Sequence, residues 1–232
     1  MGEGSTEHQG HRRRMKQKFM ESGLDSFHDH EVLELLLFYT IPQRNVNSLA
    51  HALLDRFGTL AGVLDAPAAE LLKLDGMGEH TVSLLKLLPA VMARYLRSQG
   101  DSAGCVESTW QAQTILAPYF FGVREEKVYL LCLDAKRKLL AVRSVGEGSI
   151  NAVAITQRKV MSEALAVQAT TVVLAHNHPS GIALPSSEDI ATTVLLQKTL
   201  AAVSIALWDH FIFADDDMVS LRESGQLPEP PK

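Results

Sequence analysis

The sequence predicts two domains of different class: an all-α domain over residues 1–98 that contains a helix-hairpin-helix, and an α/β (α+β) domain over residues 108–225. Three observations carry this. In the first half, segments such as Leu49-Ala50 with Leu53, Leu54 and Phe57 repeat at three-four spacing, the mark of an amphipathic helix. From Lys127 onward, apolar runs of strand type alternate with helical patterns, the arrangement of a sheet flanked by helices. Between them, Ser98-Gln99-Gly100-Asp101-Ser102-Ala103-Gly104 has the polar, Gly/Ser-rich composition of a linker.

Bulk properties exclude several classes. At 232 residues and 46% hydrophobic, the chain can build two modest cores, and its net charge of −5 gives no general attraction to nucleic acid. Cys105 and Cys132 lie outside any CxxC pattern, so neither a disulfide framework nor a cysteine zinc site is expected. The first ten residues are polar, and the most apolar stretches are broken by Lys86, Pro89 or Lys198. The sequence therefore predicts no signal peptide, no membrane span of about 18 residues and a cytoplasmic protein.

Residues 1–10 read as a mobile tail. The run His11-Arg12-Arg13-Arg14-Met15-Lys16-Gln17-Lys18 reads as the solvated face of a helix, with phosphate contact as the other reading. Glu31 to Tyr39 reads as a buried helix with Asp29 as N-cap, and the helix at Leu49–Phe57 is stopped by Gly58. Pro67 opens a short helix through Leu71, Leu72 and Leu74, Asp75-Gly76-Met77-Gly78 turns, and Glu79 to Leu88 begins the next helix. This is the helix-hairpin-helix, over 67–88. Gly76 and Gly78 lack Cβ atoms, which would let N–H groups at a helix start approach a DNA phosphate. The local charge opposes that use: Asp75 and Glu79 flank the glycines, and residues 1–98 hold 11 basic against 12 acidic residues. A helical packing or protein-docking module is at least an equal expectation.

Past the linker, Thr109 to Tyr119 reads as a helix, Lys127 to Asp134 as a strand, 135–138 as a solvated turn and Leu139 to Val145 as a second strand. After a loop at 146–151, Thr156 is expected to cap a helix through Val167. A strand at Val172, a helix from Ser186 to Ala202, a last strand from Ile205 to Phe213, an acidic turn at 215–217 and a loose tail from Gln226 complete the pattern.

The chemistry concentrates in Val172-Val173-Leu174-Ala175-His176-Asn177-His178-Pro179-Ser180-Gly181 and its continuation to Asp189. Residues two apart on a strand share a face, so His176 and His178 point together and Asn177 points away. Pro179 and Gly181 force a turn. Asp189 lies in the first turn of the helix that Ser186 opens, from which it can reach back as a third ligand. Three ligands leave a fourth position open, which separates a catalytic zinc from a structural one. The plainer alternative for His-x-His alone is two polar residues at a strand end.

The full spacing, His-x-His and then Ser186-x-x-Asp189, resembles the signature of the JAMM (MPN) metalloprotease domain. His-Asn-His-Pro-Ser-Gly in turn resembles the RadC (UPF0758-type) family of bacterial proteins, and the likeness covers nearly the whole chain. The resemblance implies a JAMM/MPN-type sheet, one zinc per chain on His176, His178 and Asp189, and hydrolysis of a peptide or isopeptide bond in a protein or peptide. It also implies a catalytic Glu just ahead of an early strand. Glu126 stands there, with Glu125, Glu147 and Glu163 as alternatives. Glu126 would move the proton, and Ser186 would donate to the oxyanion, its N-cap geometry leaving the hydroxyl proton free. Asp209 and His210 also resemble the family pattern but stay outside the metal set. The family's old repair label implies a different reading, a DNA-associated accessory protein with a structural or non-catalytic metal domain; a docking scaffold is a third.

Overall fold

Helical spacing in the first half of the chain produces α1 (Glu3–Ser22), α2 (Asp29–Thr40), α3 (Asn47–Phe57), α4 (Leu60–Asp65), α5 (Ala68–Leu71) and α6 (Glu79–Gly100). The computed structural model describes residues 3–42, 44–100, 104–147, 153–215 and 217–227, and the chain divides into the units Met1–Met92 and Ala93–Lys232. Leu33, Leu37, Leu53, Leu71 and Leu85, all wholly buried, form the centre of the first unit's core. Each such side chain contributes about 1.5–3 kcal/mol by leaving water.

Several expectations here are corrected. Residues 3–10 belong to α1 and are not a loose tail. The basic run is not simply a solvated face: Arg12 donates to the carbonyls of Phe38 (3.2 Å), Ile41 (2.6 Å) and Arg44 (2.6 Å). A cation on the carbonyl end of a helix offsets its dipole, so Arg12 fastens α1 to the end of α2. Lys16 and Lys18 lie over the rings of Tyr39 and Phe27. The N-cap of α2 is His28, whose N–H donates to Glu31 (2.9 Å), while Asp29 accepts from the Leu60 N–H at the start of α4 (3.1 Å). The helix after Pro67 is one turn long, ending at Leu71, and Gly76 turns the chain at φ +88°. From there α6 runs unbroken through Pro89 to Gly100, into the expected linker.

The second unit contains α7 (Thr109–Leu116) with a 3-10 turn (Ala117–Tyr119), β1 (Lys127–Leu133), β2 (Leu139–Glu147), α8 (Val153–Ala166), β3 (Thr171–Asn177), α9 (Ser187–Ala201), β4 (Ala206–Ala214) and β5 (Asp217–Ser220). The helix expected from Thr156 starts three residues earlier, and β5 occupies the stretch after the acidic turn. The loop residues 148–152 lie outside the described set. The strands form one sheet in the order β2-β1-β3-β4-β5, with β3 and β4 parallel and the other pairs antiparallel. A parallel pair needs a crossover, which α9 supplies. Strands β1 and β3 are covered on both faces, which accounts for their continuous apolar runs. Val128, Leu130, Val172 and Leu174 pack with Val160 of α8 and Leu196 and Leu200 of α9, while Leu131, Val173, Ala175 and Phe211 pack with Ile115 and Leu116 of α7. The burial of Cys132 in the first layer pushes its thiol up to about 12, so it is inert. No helix among the described residues is long and apolar enough to cross a membrane.

Candidate metal centre

β3 carries its apolar run to His176, which is wholly buried beside Val128 of β1 and Ile212 of β4. His178 lies one residue beyond the strand, held by its N–H to the Phe213 carbonyl (2.8 Å). The chain then turns at Gly181, where φ is +78° and a Cβ would stand 2.9 Å from the Asp215 carboxylate. Glycine meets both requirements. At the start of α9, Ser186 and Asp189 form a capping box: the Asp189 N–H donates to Ser186 Oγ (3.1 Å) and the Ser186 N–H to Asp189 Oδ2 (2.8 Å). The cap that starts the helix thus also aims Asp189 at the strand end.

His176, His178 and Asp189 converge, with one ligand atom from each within 4.8 Å of the others. Nε2 of His176 lies 2.9 Å from Nε2 of His178 and 3.3 Å from Asp189 Oδ1, and Nε2 of His178 lies 3.5 Å from Asp189 Oδ2. Tetrahedral coordination at ligand distances of about 2.0–2.2 Å sets donor separations of about 3.3 Å, so the three groups could hold a single metal ion. The Nδ1–H of His178 donates to the Ile182 carbonyl (3.0 Å), leaving Nε2 as the lone-pair atom. The side chain of His178 is 21% exposed and that of His176 not at all, so the cluster opens to solvent on the His178 side. Burial drives His176 down to about 4, against the raising pull of Asp189 and with a smaller lowering by His178. Burial also holds His210 well below the usual imidazole range. Neutral imidazoles are the form that binds metal.

Glu126 lies immediately before β1 and is half-buried, whereas Glu125 is exposed. Val128 sits directly across from His176, and cross-strand partners share a face. Were the alternation to continue two residues back, past the start of β1, it would put Glu126 on the face of the histidines and Glu125 on the opposite one. Asn177 fixes this stretch: its Oδ1 accepts from the Lys127 N–H (2.8 Å) and its Nδ2 donates to the Glu125 carbonyl (3.0 Å), one bond on each side of Glu126. Glu163 is engaged elsewhere, with Lys159 at 2.7 Å and Arg143 at 3.8 Å, and the side chain of Glu147 lies outside the described set. The Ser186 hydroxyl proton is not free as the sequence suggested. It is directed at Asp189 Oδ2 (2.6 Å), because the carboxylate that fills the capping box is also its nearest acceptor.

Two further residues join the cluster. His210 Nε2 lies 2.8 Å from His176 Nδ1, and His210 Nδ1 lies 2.6 Å from Thr193 Oγ1. Asp209 is no ligand: it accepts from Ser220 Oγ (2.5 Å) and from the N–H groups of His210 (2.7 Å) and Arg222 (3.0 Å). Asp134 closes the turn between β1 and β2, accepting from the N–H groups of Lys136 (2.8 Å) and Lys138 (2.9 Å). At the other motif, Gly76 and Gly78 stand beside the exposed side chains of Asp75, Glu79 and His80.

Residues 106–226 match the family model described as RadC-like JAB domain, and residues 8–83 match the one described as UPF0758 N-terminal. The chain is similar to UPF0758 protein SPO0054 of Ruegeria pomeroyi, 35% identical over 218 residues, which span 94% of this chain and 97% of that protein. A UPF0758 protein of Rhodobacter capsulatus is 35% identical over 92% of this chain and 100% of its own length. UPF0758 protein Mpe_A2695 of Methylibium petroleiphilum is 36% identical over 92% of this chain and 96% of its own.

Proposed function

The chain belongs to the RadC-like JAB domain family, joined to a UPF0758 N-terminal region, and on that premise we propose that it is a zinc-dependent hydrolase of amide bonds in peptides or proteins, including isopeptides. The family gives the second unit a JAMM/MPN-type fold. The observation that carries the reading is the convergence of two imidazole Nε2 atoms and one carboxylate, open to solvent on one side. Two nitrogens and one carboxylate oxygen form a donor set suited to a single zinc with an open position. When bound, zinc would lower the pKa of a water toward about 7 and polarise a carbonyl.

His176, His178 and Asp189 would hold the ion. Glu126 takes the proton from the attacking water and delivers it to the amide nitrogen as the C–N bond breaks, so that an acid and an amine leave. Ser186 steadies the developing oxyanion by turning its proton from Asp189 Oδ2 toward the substrate. Phosphodiester cleavage is disfavoured as the reaction, since it commonly uses two metals about 4 Å apart and needs bridging carboxylates beyond Asp189. Two cysteines left as free thiols, Cys105 and Cys132, suit a reducing, cytoplasmic setting. The test offers zinc-loaded protein a pool of folded and unfolded proteins and, in parallel, labelled DNA, with His178→Ala as blank. Amide cleavage absent from the blank is expected. DNA cleavage absent from the blank, with no amide cleavage, overturns the reading.

A further inference from the structure

We propose that Thr193 and His210 are positioning residues that hold His176 as its Nδ1–H tautomer, so that its Nε2 lone pair is presented to the metal. The proposal rests on the metal-site reading above. Thr193 Oγ1 lies 2.5 Å from the main-chain carbonyl of Asp189, one helical turn back, and 2.6 Å from His210 Nδ1. A carbonyl only accepts, and the hydroxyl has one proton, so that proton goes to the carbonyl and an oxygen lone pair faces His210. His210 therefore carries its proton on Nδ1 and turns a bare Nε2 toward His176. His176 Nδ1, 2.8 Å away, must then be the donor, and the proton is absent from His176 Nε2, the atom that faces His178 and Asp189. Running the protons the other way puts an N–H into the ligand cluster and breaks the bond to the Asp189 carbonyl.

The relay begins at the main chain of one ligand, Asp189, and ends on another, His176. Every side chain in it is sealed off: Thr193, His210 and His176 are each 0% exposed. Water cannot substitute for a missing partner there, so the proton order is fixed by protein groups alone. The fold takes a specific step to bring His210 in. Between Leu207 and Asp209 the pairing of β4 with β3 shifts by one residue, so that His210 lies beside Leu174, on the face that carries His176. Without that irregularity at Trp208 the alternation would send His210 to the opposite face.

The test uses the full chain and the zinc ion alone as probe. Zinc affinity is measured by chelator competition for the wild type, His210→Leu, His210→Gln, Thr193→Val and the ligand variant His178→Ala, with thermal unfolding to confirm folding. His210→Leu should lose about 10- to 100-fold in affinity. His210→Gln, which keeps an acceptor near the position of Nε2 and a donor toward Thr193, should stay within about threefold of wild type, and Thr193→Val should fall between. Imidazole nitrogen shifts of the metal-free protein should assign Nδ1–H to both His176 and His210, a readout that survives even if a variant fails to fold. Equal affinities for wild type and His210→Leu, equal losses in the Leu and Gln variants, or an Nε2–H tautomer at His176 overturns the relay. Zinc bound by His178→Ala as tightly as by wild type would instead overturn the metal site itself.

Discussion

The glycine hairpin of the first unit and the histidine cluster of the second are both motifs with an apparent purpose, and their surroundings differ in kind. At the cluster the polar groups are sealed: His176, Thr193 and His210 are 0% exposed and Asp189 is 5% exposed. A polar group taken from water without a partner costs several kcal/mol, and here each finds one. At the hairpin, Asp75, Glu79 and His80 stay in solvent, and a Cβ added at Gly78 would meet nothing within 4 Å. The turn explains Gly76, whose φ is +88°, while neither backbone angle nor packing calls for glycine at Gly78. No turn or core requirement explains two histidines and an aspartate with their lone pairs facing one another.

The largest effect expected from this contrast is on metal content. The purified protein should hold about one zinc per chain, and His176→Ala and Asp189→Ala should each bring it close to none. Elemental analysis finding full occupancy in both variants would break the contrast at its root. Next in size is catalysis. Glu126→Gln should keep zinc and thermal stability while lowering kcat by about 10²- to 10⁴-fold, and Glu125→Gln should leave it within about twofold. A reversed pattern would make Glu125 the base and would mean that the extended alternation fails one residue before β1.

What the sequence revealed follows the range of the forces involved. β3, His176 and His178 were legible because strand period and apolar runs are local, and Asp189 because capping spacing is local too. Helix α4 and strand β5, six and four residues long, are too short to display a period. Arg12 reaches carbonyls 26 to 32 residues away, which no local pattern encodes. The place of His210 depends on a register shift within β4, and a shift of one residue reverses every side chain after it. The pairing of Asp209 with His210 was visible as a likeness to the family; its use was not.

A smaller effect concerns pH in the metal-free protein. With His176 lowered to about 4 and His210 lowered as well, the unfolded chain binds more protons than the folded one between about pH 4 and pH 6.5, so stability rises with pH across that window. Asp209 acts in the opposite sense, since burial raises its carboxyl and favours the folded state at lower pH. The two histidines are expected to outweigh the one carboxyl. His176 alone contributes on the order of 2 kcal/mol between pH 5 and pH 7. Chelator-treated protein should therefore melt several degrees higher at pH 7 than at pH 5. An inverted slope would mean that the histidines are not held neutral by burial, and the difference between the two motifs would shrink accordingly.

The smallest effect is the one expected at the hairpin: weak binding of duplex DNA by the whole chain, with little dependence on salt. Of the cations in the basic run of α1, Arg12 is committed to the end of α2, and Lys16 and Lys18 lie over aromatic rings. Arg13 and Arg14 remain exposed, while Asp75 and Glu79 put like charge where a phosphate would approach the glycines. Each phosphate neutralised contributes about −0.9 to the slope of log K against log salt, so two available arginines give a slope near about −2. Replacing both acids, Asp75→Asn with Glu79→Gln, should strengthen binding only a few-fold, because removing repulsion does not add a donor. Fluorescence anisotropy of labelled duplex at several salt concentrations measures both quantities. A slope steeper than about −5 together with tight binding would need at least five phosphate contacts, more than these exposed arginines can make. That outcome would give the hairpin unit a nucleic-acid role and restore the DNA-associated reading alongside the hydrolase.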